Sequence, residues 1–191
     1  MAGKSSRDAT VCATGVEHAH LPLPRADEFT GAGVYYGAGA SEALLTSGEH
    51  VFVVGGGNSA GQAALHFAAF ASRVTVVVRG SSLASSLSRY LIDQIFATEN
   101  VEVLTRTEVT ALHGDDVLRC ITLTEPATGK QWTIDTRWLF VCIGAVPRTE
   151  WAPELGVMRD EGGYLLSIAV RTIWRRTCRD YSPSVMFVTA R

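Results

Sequence analysis

No two of the four cysteines in this 191-residue sequence, Cys12, Cys120, Cys142 and Cys178, form a Cys-x-x-Cys pair or a zinc-ligand spacing. The chain therefore has no evident dithiol or structural zinc site, and each cysteine reads as a small buried hydrophobe. Charge of one sign is scarce too. With 17 basic and 19 acidic residues the formal net charge is -2, which leaves no electrostatic footprint for nucleic acid or an anionic membrane surface. No apolar stretch is long enough to span a bilayer, and Met1 to Asp8 has no apolar run behind its positive charge, so the expectation is a cytoplasmic chain without a membrane partner. None of the histidines, His18, His20, His50, His66 and His113, stands at metal-ligand spacing or beside a nucleophile, and each reads as a solvated or packing group. A Tyr-x-x-x-Lys pair is also lacking. Tyr35, Tyr90, Tyr164 and Tyr181 are followed at that spacing by Gly39, Gln94, Ile168 and Val185, which argues against a short-chain dehydrogenase.

What is present is a well-ordered succession of elements. Hydrophobic residues make up 47% and charged residues 19%, a globular composition with room for one domain, or one and part of a second. Val51-Phe52-Val53-Val54 is a continuous apolar run of the kind found in a parallel sheet covered on both faces. Glycines end it. Ser59 to Phe70 then carries small and apolar residues at helical spacing, and Val74 to Val78 is β-rich throughout, which completes a strand-helix-strand crossover. A second helix is predicted from about Leu83 to Ala97, and a third strand over Val101 to Leu104. Glu108 to Leu112, Leu118 to Thr124 and Gln131 to Asp135 read as an antiparallel meander, with turns at Gly114-Asp115-Asp116 and Pro126-Ala127-Thr128-Gly129. Trp138 to Ile143 returns as a buried strand that closes at Gly144. The predicted class is α/β: a three-layer Rossmann-type domain, a parallel sheet plus an antiparallel meander.

The chemistry lies in Gly55-Gly56-Gly57-Asn58-Ser59-Ala60. A Gly-x-Gly-x-x-Ala that follows a strand, opens a helix and precedes a second strand is the arrangement of a dinucleotide fingerprint, in which backbone N–H groups at a helix N terminus receive the pyrophosphate. Cofactor choice is read at the end of the second strand. Val78 stands where NAD enzymes place an acid, and Arg79-Gly80 follows, with a guanidinium suited to a 2′-phosphate. NADPH is therefore expected over NADH. Arg89 on the second helix is a candidate second cation, with a surface role as its alternative. No catalytic side chain is assigned, since a redox cofactor carries its own chemistry.

Three segments, Gly31-Ala32-Gly33-Val34-Tyr35-Tyr36, Val53 to Gly61 and Phe140-Val141-Cys142-Ile143-Gly144-Ala145-Val146-Pro147, together resemble the thioredoxin reductases and their low-molecular-weight flavoprotein relatives within the pyridine nucleotide-disulfide oxidoreductases. The resemblance covers about Ala9 to Tyr164. It implies that Ala13-Thr14-Gly15 ends a strand of an FAD-binding domain, so that Thr14 and Gly15 bind cofactor, and that Ile143-Gly144 lines the nicotinamide nucleotide. It also implies a division into 1–30 as the end of an FAD-binding domain, 31–148 as the NADPH-binding domain and 149–191 as a degenerate return toward the FAD domain.

Two departures qualify that resemblance. Gly37 and Ala40 stand where the family places its redox Cys-x-x-Cys, so thioredoxin reduction by the familiar route is not expected. Neither the family's FAD-binding Gly-x-Gly-x-x-Gly nor its closing Gly-Asp occurs: Thr189-Ala190 falls at the latter, and Arg171 to Arg179 matches nothing in the pattern. FAD binding and turnover by this chain alone are accordingly not expected. The leading reading is the NADPH-binding part of a flavin-dependent oxidoreductase, as a fragment, passing electrons through flavin to an open choice of acceptor. The alternative is a non-catalytic dinucleotide-binding or interaction module, and a homodimer or a complementing chain stays open as partner.

Overall fold

Alternate side chains of one short strand enter two different cores, and this decides the architecture. In a computed structural model that describes residues 10–11, 14–37, 40–166 and 185–186, Val51 and Val53 pack into one apolar cluster while Phe52 packs into another on the opposite face. A strand buried on both faces gains nothing from alternation, which is why its sequence is apolar without interruption.

The strands are β1 (Thr10–Val11), β2 (Val16–His18), β3 (Val34–Tyr36), β4 (His50–Val54), β5 (Arg73–Val78), β6 (Val101–Thr105), β7 (Glu108–Gly114), β8 (Leu118–Glu125), β9 (Lys130–Asp135), β10 (Trp138–Val141), β11 (Ala145–Pro147) and β12 (Val185–Met186). The helices are α1 (Ala40–Ala43), α2 (Asn58–Ala68) and α3 (Arg89–Ala97). The chain divides into two units, His18–Gly144 on the one hand and Met1–Glu17 with Ala145–Arg191 on the other.

The larger unit is built on a parallel sheet in the order β3-β10-β4-β5-β6, with Phe140 level with Val53 and Val53 with Val76. Helices α2 and α3 cover one face. Ala60, Ala63, Ala64 and Phe67 of α2 and Leu91 and Ile95 of α3 are buried there against Val51, Val53, Val74, Val76 and Phe140. The Phe67 and Phe140 rings lie 4.0 Å apart between centroids, so truncating Phe67 would cost about 3 to 5 kcal/mol. The antiparallel meander β7-β8-β9 covers the other face, where Val109, Leu112, Leu118, Ile121 and Leu123 meet Phe52, Val77, Leu139 and Val141. Val109 and Leu112 both face inward despite their odd spacing because a register shift falls between Val109 and Ala111. This is the Rossmann-type α/β fold with three layers that the sequence implies.

Four local differences separate the structure from the sequence reading. The helix expected over Leu83 to Ala97 is divided into a 3-10 turn, Leu83–Ser85, and α3. The break comes at Ser86 and Ser88, whose polar groups leave the helical ladder for the glycine turn: the Ser86 hydroxyl donates to the Gly56 carbonyl at 2.7 Å, and the Ser88 N–H to the Asn58 side chain at 2.8 Å. The strand expected to reach Ile143 stops at Val141, although the Cys142 N–H still donates to the Val54 carbonyl at 2.8 Å. His50, expected ahead of its strand, begins it. Its Nε2 lies 2.8 Å from the Thr75 hydroxyl, which donates to Glu102 at 2.9 Å, and Glu102 pairs with Arg73. Since the single hydroxyl proton goes to Glu102, the imidazole N–H is the donor to Thr75. Cys120 and Cys142 are half-buried rather than fully buried. Cys12, Cys178 and the segment Arg171 to Arg179 lie outside the described residues.

In the smaller unit β1 and β12 form a parallel pair and β2 pairs with β11. The Arg148 N–H donates to the Gly15 carbonyl at 3.1 Å. A 3-10 turn, Pro153–Leu155, ends at Gly156 in the left-handed conformation.

Candidate functional site

The turn after β4 is held by contacts that only glycine permits at its first position. Gly55 has φ +144, and a Cβ there would come within 2.3 Å of the Cys142 carbonyl oxygen. Its N–H donates to the Val77 carbonyl at 3.0 Å. Two residues on, a Cβ at Gly57 would meet nothing within 4 Å, so the backbone there borders open space. Gly57 is the N-cap of α2. No side chain caps that helix start, and its first turn carries no acidic residue. An eleven-residue helix thus presents unopposed N–H groups and the positive end of its dipole.

That end opens into a cavity of about 770 Å³ within the larger unit. Gly55, Gly56, Gly57 and Ser59 form one side, Arg79 and Gly80 continue it from the tip of β5, and Cys142, Ile143 and Gly144 close it beyond β10. The structure therefore brings together eight of the residues singled out from sequence. Asn58 and Ala60 are not on the wall: the Asn58 side chain is engaged by Ser88, and Ala60 is buried against the sheet. Arg89 is not on it either, since it pairs with Asp93 one turn along α3 at 2.9 Å. Thr14 and Gly15 belong to the smaller unit, where both are exposed.

Other wall residues were not expected. Leu21, Pro22 and Leu23 come from the loop ahead of β3, Ser85 and Ser86 from the segment before α3, and Thr107, Glu108, Val109 and Thr110 from the start of the meander. The serines carry a weak signal, being hydroxyls close in sequence to Arg79. The other two groups carry none, because they arrive through tertiary packing. Ala19 N–H donates to the Gly144 carbonyl at 3.0 Å and anchors the loop that leads to Leu21.

Cys142 is the titratable wall residue whose environment is most altered. Burial pushes its thiol up to about 11, so it stands protonated near neutrality and is not an activated nucleophile. Three of the histidines have local partners: His20 stacks on Tyr36 at 4.3 Å and pairs with Asp27, His66 packs on Phe70, and His113 bonds the Thr122 hydroxyl. Among the described residues no group of three or more His, Cys, Asp or Glu could hold a metal ion, and no helix is long and apolar enough to cross a membrane.

The chain that carries this glycine turn is similar to known proteins. Residues 3–172 match the family described as pyridine nucleotide-disulphide oxidoreductase. The chain belongs to this family. It is 34% identical over 158 residues to a thioredoxin reductase of Streptomyces clavuligerus, an alignment that takes in 82% of the chain and 48% of that relative. A thioredoxin reductase of Mycolicibacterium smegmatis is 31% identical over 154 residues, covering 81% of the chain and 49% of the relative. Among solved structures, the thioredoxin reductase of Streptococcus pyogenes superimposes with a TM-score of 0.74 at 26% identity, across 93% of this chain and 55% of that one. The chain spans about half the length of these relatives. As a family member it differs from the expected pattern at Gly37 and Ala40, where the sequence holds no cysteine.

Proposed function

We propose that residues 31–148 bind a nicotinamide dinucleotide, NADPH in preference to NADH, as the pyridine-nucleotide part of a flavin-dependent oxidoreductase. One observation carries this reading: the uncapped, acid-free N terminus of α2 faces, across Gly57, a cavity that Arg79 shares. Its residues fit the cofactor. The first N–H groups of α2 would receive the pyrophosphate, Arg79 the 2′-phosphate, and the wall formed by Cys142, Ile143 and Gly144 would lie along the nicotinamide half. When bound, the dinucleotide supplies a hydride from its nicotinamide ring. The protein's part is to hold that ring and keep water from it, for which the apolar Leu21, Leu23, Val54 and Ile143 are suited.

On this reading the chain by itself holds only the nicotinamide nucleotide. The described residues build one glycine turn at the start of a helix facing a cavity, and a flavin dinucleotide would need a second. The family resemblance supports flavin as the next carrier, held by this chain together with another or by a longer form, and we propose a cytoplasmic location. A second reading, a dinucleotide-binding module without turnover, is favoured by the missing dithiol.

Calorimetric titration of the purified chain with NADPH, NADH and FAD, together with its absorption spectrum, tests the proposal. The expected result is a colourless protein that binds NADPH. Tight FAD binding with no affinity for either nicotinamide nucleotide would overturn it.

A further inference from the structure

The cavity holds two charges of opposite sign, and neither is satisfied among the described residues. Arg79, at the tip of β5, and Glu108, at the start of β7, both line it. The ion pairs among the described residues involve other groups, and no side-chain hydrogen bond engages either one. An exposed, unpaired charge is ordinary on an open surface. Two of opposite sign in one cavity wall, at the strand tip where a Rossmann-type fold reads the adenosine ribose, define a polar subsite.

Glu108 reaches that strand tip by specific bonding. The Thr107 N–H donates to the Val78 carbonyl at 3.1 Å and the Arg106 N–H to the Gly80 carbonyl at 2.9 Å, so the turn between β6 and β7 runs beside the end of β5. Arg106 takes a left-handed φ of +52, and the Thr107 hydroxyl donates to the Thr105 carbonyl at 2.9 Å, which fixes the turn. Glu108 is the next residue, already in β7 and in register with Thr124. Val109 beside it is anchored in the core between sheet and meander, which leaves little freedom to the backbone carrying the carboxylate.

We propose that Glu108 is a specificity-determining residue of this cavity, accepting hydrogen bonds from the adenosine ribose hydroxyls and opposing the attraction of Arg79 for a 2′-phosphate. This rests on the dinucleotide reading above and deepens it. A carboxylate accepts from a 2′,3′-diol and repels a phosphate dianion, whereas a guanidinium donates to both. Val78 at the end of β5 supplies no acid, and Glu108 supplies one from a neighbouring strand. The pair moderates the preference for NADPH, with the balance between the two nucleotides set by two side chains on different elements.

The test uses the whole chain and compares dissociation constants for NADPH, NADH, 2′,5′-ADP and 5′-ADP in the unaltered protein, in Glu108→Gln and in Arg79→Ala. Glu108→Gln is expected to tighten NADPH and 2′,5′-ADP by about fivefold and to weaken NADH and 5′-ADP by a similar factor, the range of a solvent-screened charge interaction. Arg79→Ala should move the ratio the other way. Should the glutamine variant fail to fold, Glu108→Thr carries the same expectation, since threonines already flank this stretch of β7. If all four ligands bind and Glu108→Gln leaves the ratio unchanged while Arg79→Ala shifts it, the inference about Glu108 is wrong and the dinucleotide reading stands. If the unaltered protein binds none of them, the dinucleotide reading fails and the inference with it.

Discussion

The backbone N–H of Ser88 donates to the side-chain oxygen of Asn58 across 2.8 Å, joining the start of α3 to the start of α2. A residue placed by its motif among the cofactor contacts thus has its side chain committed elsewhere, while its backbone remains in the first turn of α2.

Asn58→Ala therefore separates the two roles. Losing one hydrogen bond should lower stability by about 1 kcal/mol, seen as a fall of roughly 2 to 4 °C in the unfolding midpoint. NADPH affinity, carried by backbone N–H groups, should change by less than about threefold. A loss of binding without a loss of stability would show that the side chain meets the ligand.

Arg79→Ala should weaken NADPH binding by roughly ten- to 150-fold, the equivalent of a charge-assisted contact of about 1.5 to 3 kcal/mol, and leave NADH nearly unchanged. Raising ionic strength should weaken NADPH in the unaltered protein and have little effect on the variant. Equal losses for both nucleotides would mean that Arg79 supports the fold rather than reads a phosphate.

Cys142 should resist alkylation at neutral pH. With its thiol pushed up to about 11 by burial, only about one molecule in a thousand carries the thiolate at pH 8. Iodoacetamide labelling, followed site by site by mass spectrometry, should accelerate about tenfold per pH unit from pH 8 to 10. A rate that levels off near pH 9 would show an unshifted thiol.

His50 should make stability sensitive to mild acid. Burial, and then the Arg73 guanidinium, depress its folded-state value below the ordinary one, with Glu102 opposing. The folded state favours the neutral ring, so this contribution is present above about pH 6.5 and is lost as pH falls through the depressed value. Glu102 titrates in a lower window. Burial would raise its carboxyl, but the Arg73 and Thr75 hydrogen bonds outweigh burial and hold it below the usual value. Denaturant midpoints at pH 8 and pH 5.5 should therefore differ more in the unaltered protein than in His50→Gln; equal differences would remove His50 from the account.

The parts legible in the sequence are those in which one local rule suffices. β4, β5 and β10 are buried on both faces, so their apolar runs need no partner to be recognised, and the glycine turn is confirmed by the elements on either side of it. The single helix expected over Leu83 to Ala97 fails because apolar spacing reports which face is buried and says nothing about Ser86 and Ser88 leaving the ladder for Gly56 and Asn58. Glu108 and Leu21 to Leu23 escape notice for a related reason. They reach the cavity through bonds to distant segments, Thr107 to Val78 and Ala19 to Gly144, and no spacing along the chain encodes such a meeting.

The strand order β3-β10-β4-β5-β6 also constrains how the molecule comes into being. A chain elongating from its amino terminus completes β4, α2, β5, α3 and β6 as a local succession, but one edge of β4 stays unpaired until the whole meander has been made and β10 can enter. β3 docks only on β10, so it too must wait. The centre of the sheet is thus closed by the last of its strands to be synthesised. Long-range parallel pairing of this kind is slow, and it leaves an apolar strand edge exposed in the interval. The meander then has a role in time as well as in space, because its local antiparallel pairing can form first and deliver Trp138 to Val141 to the gap.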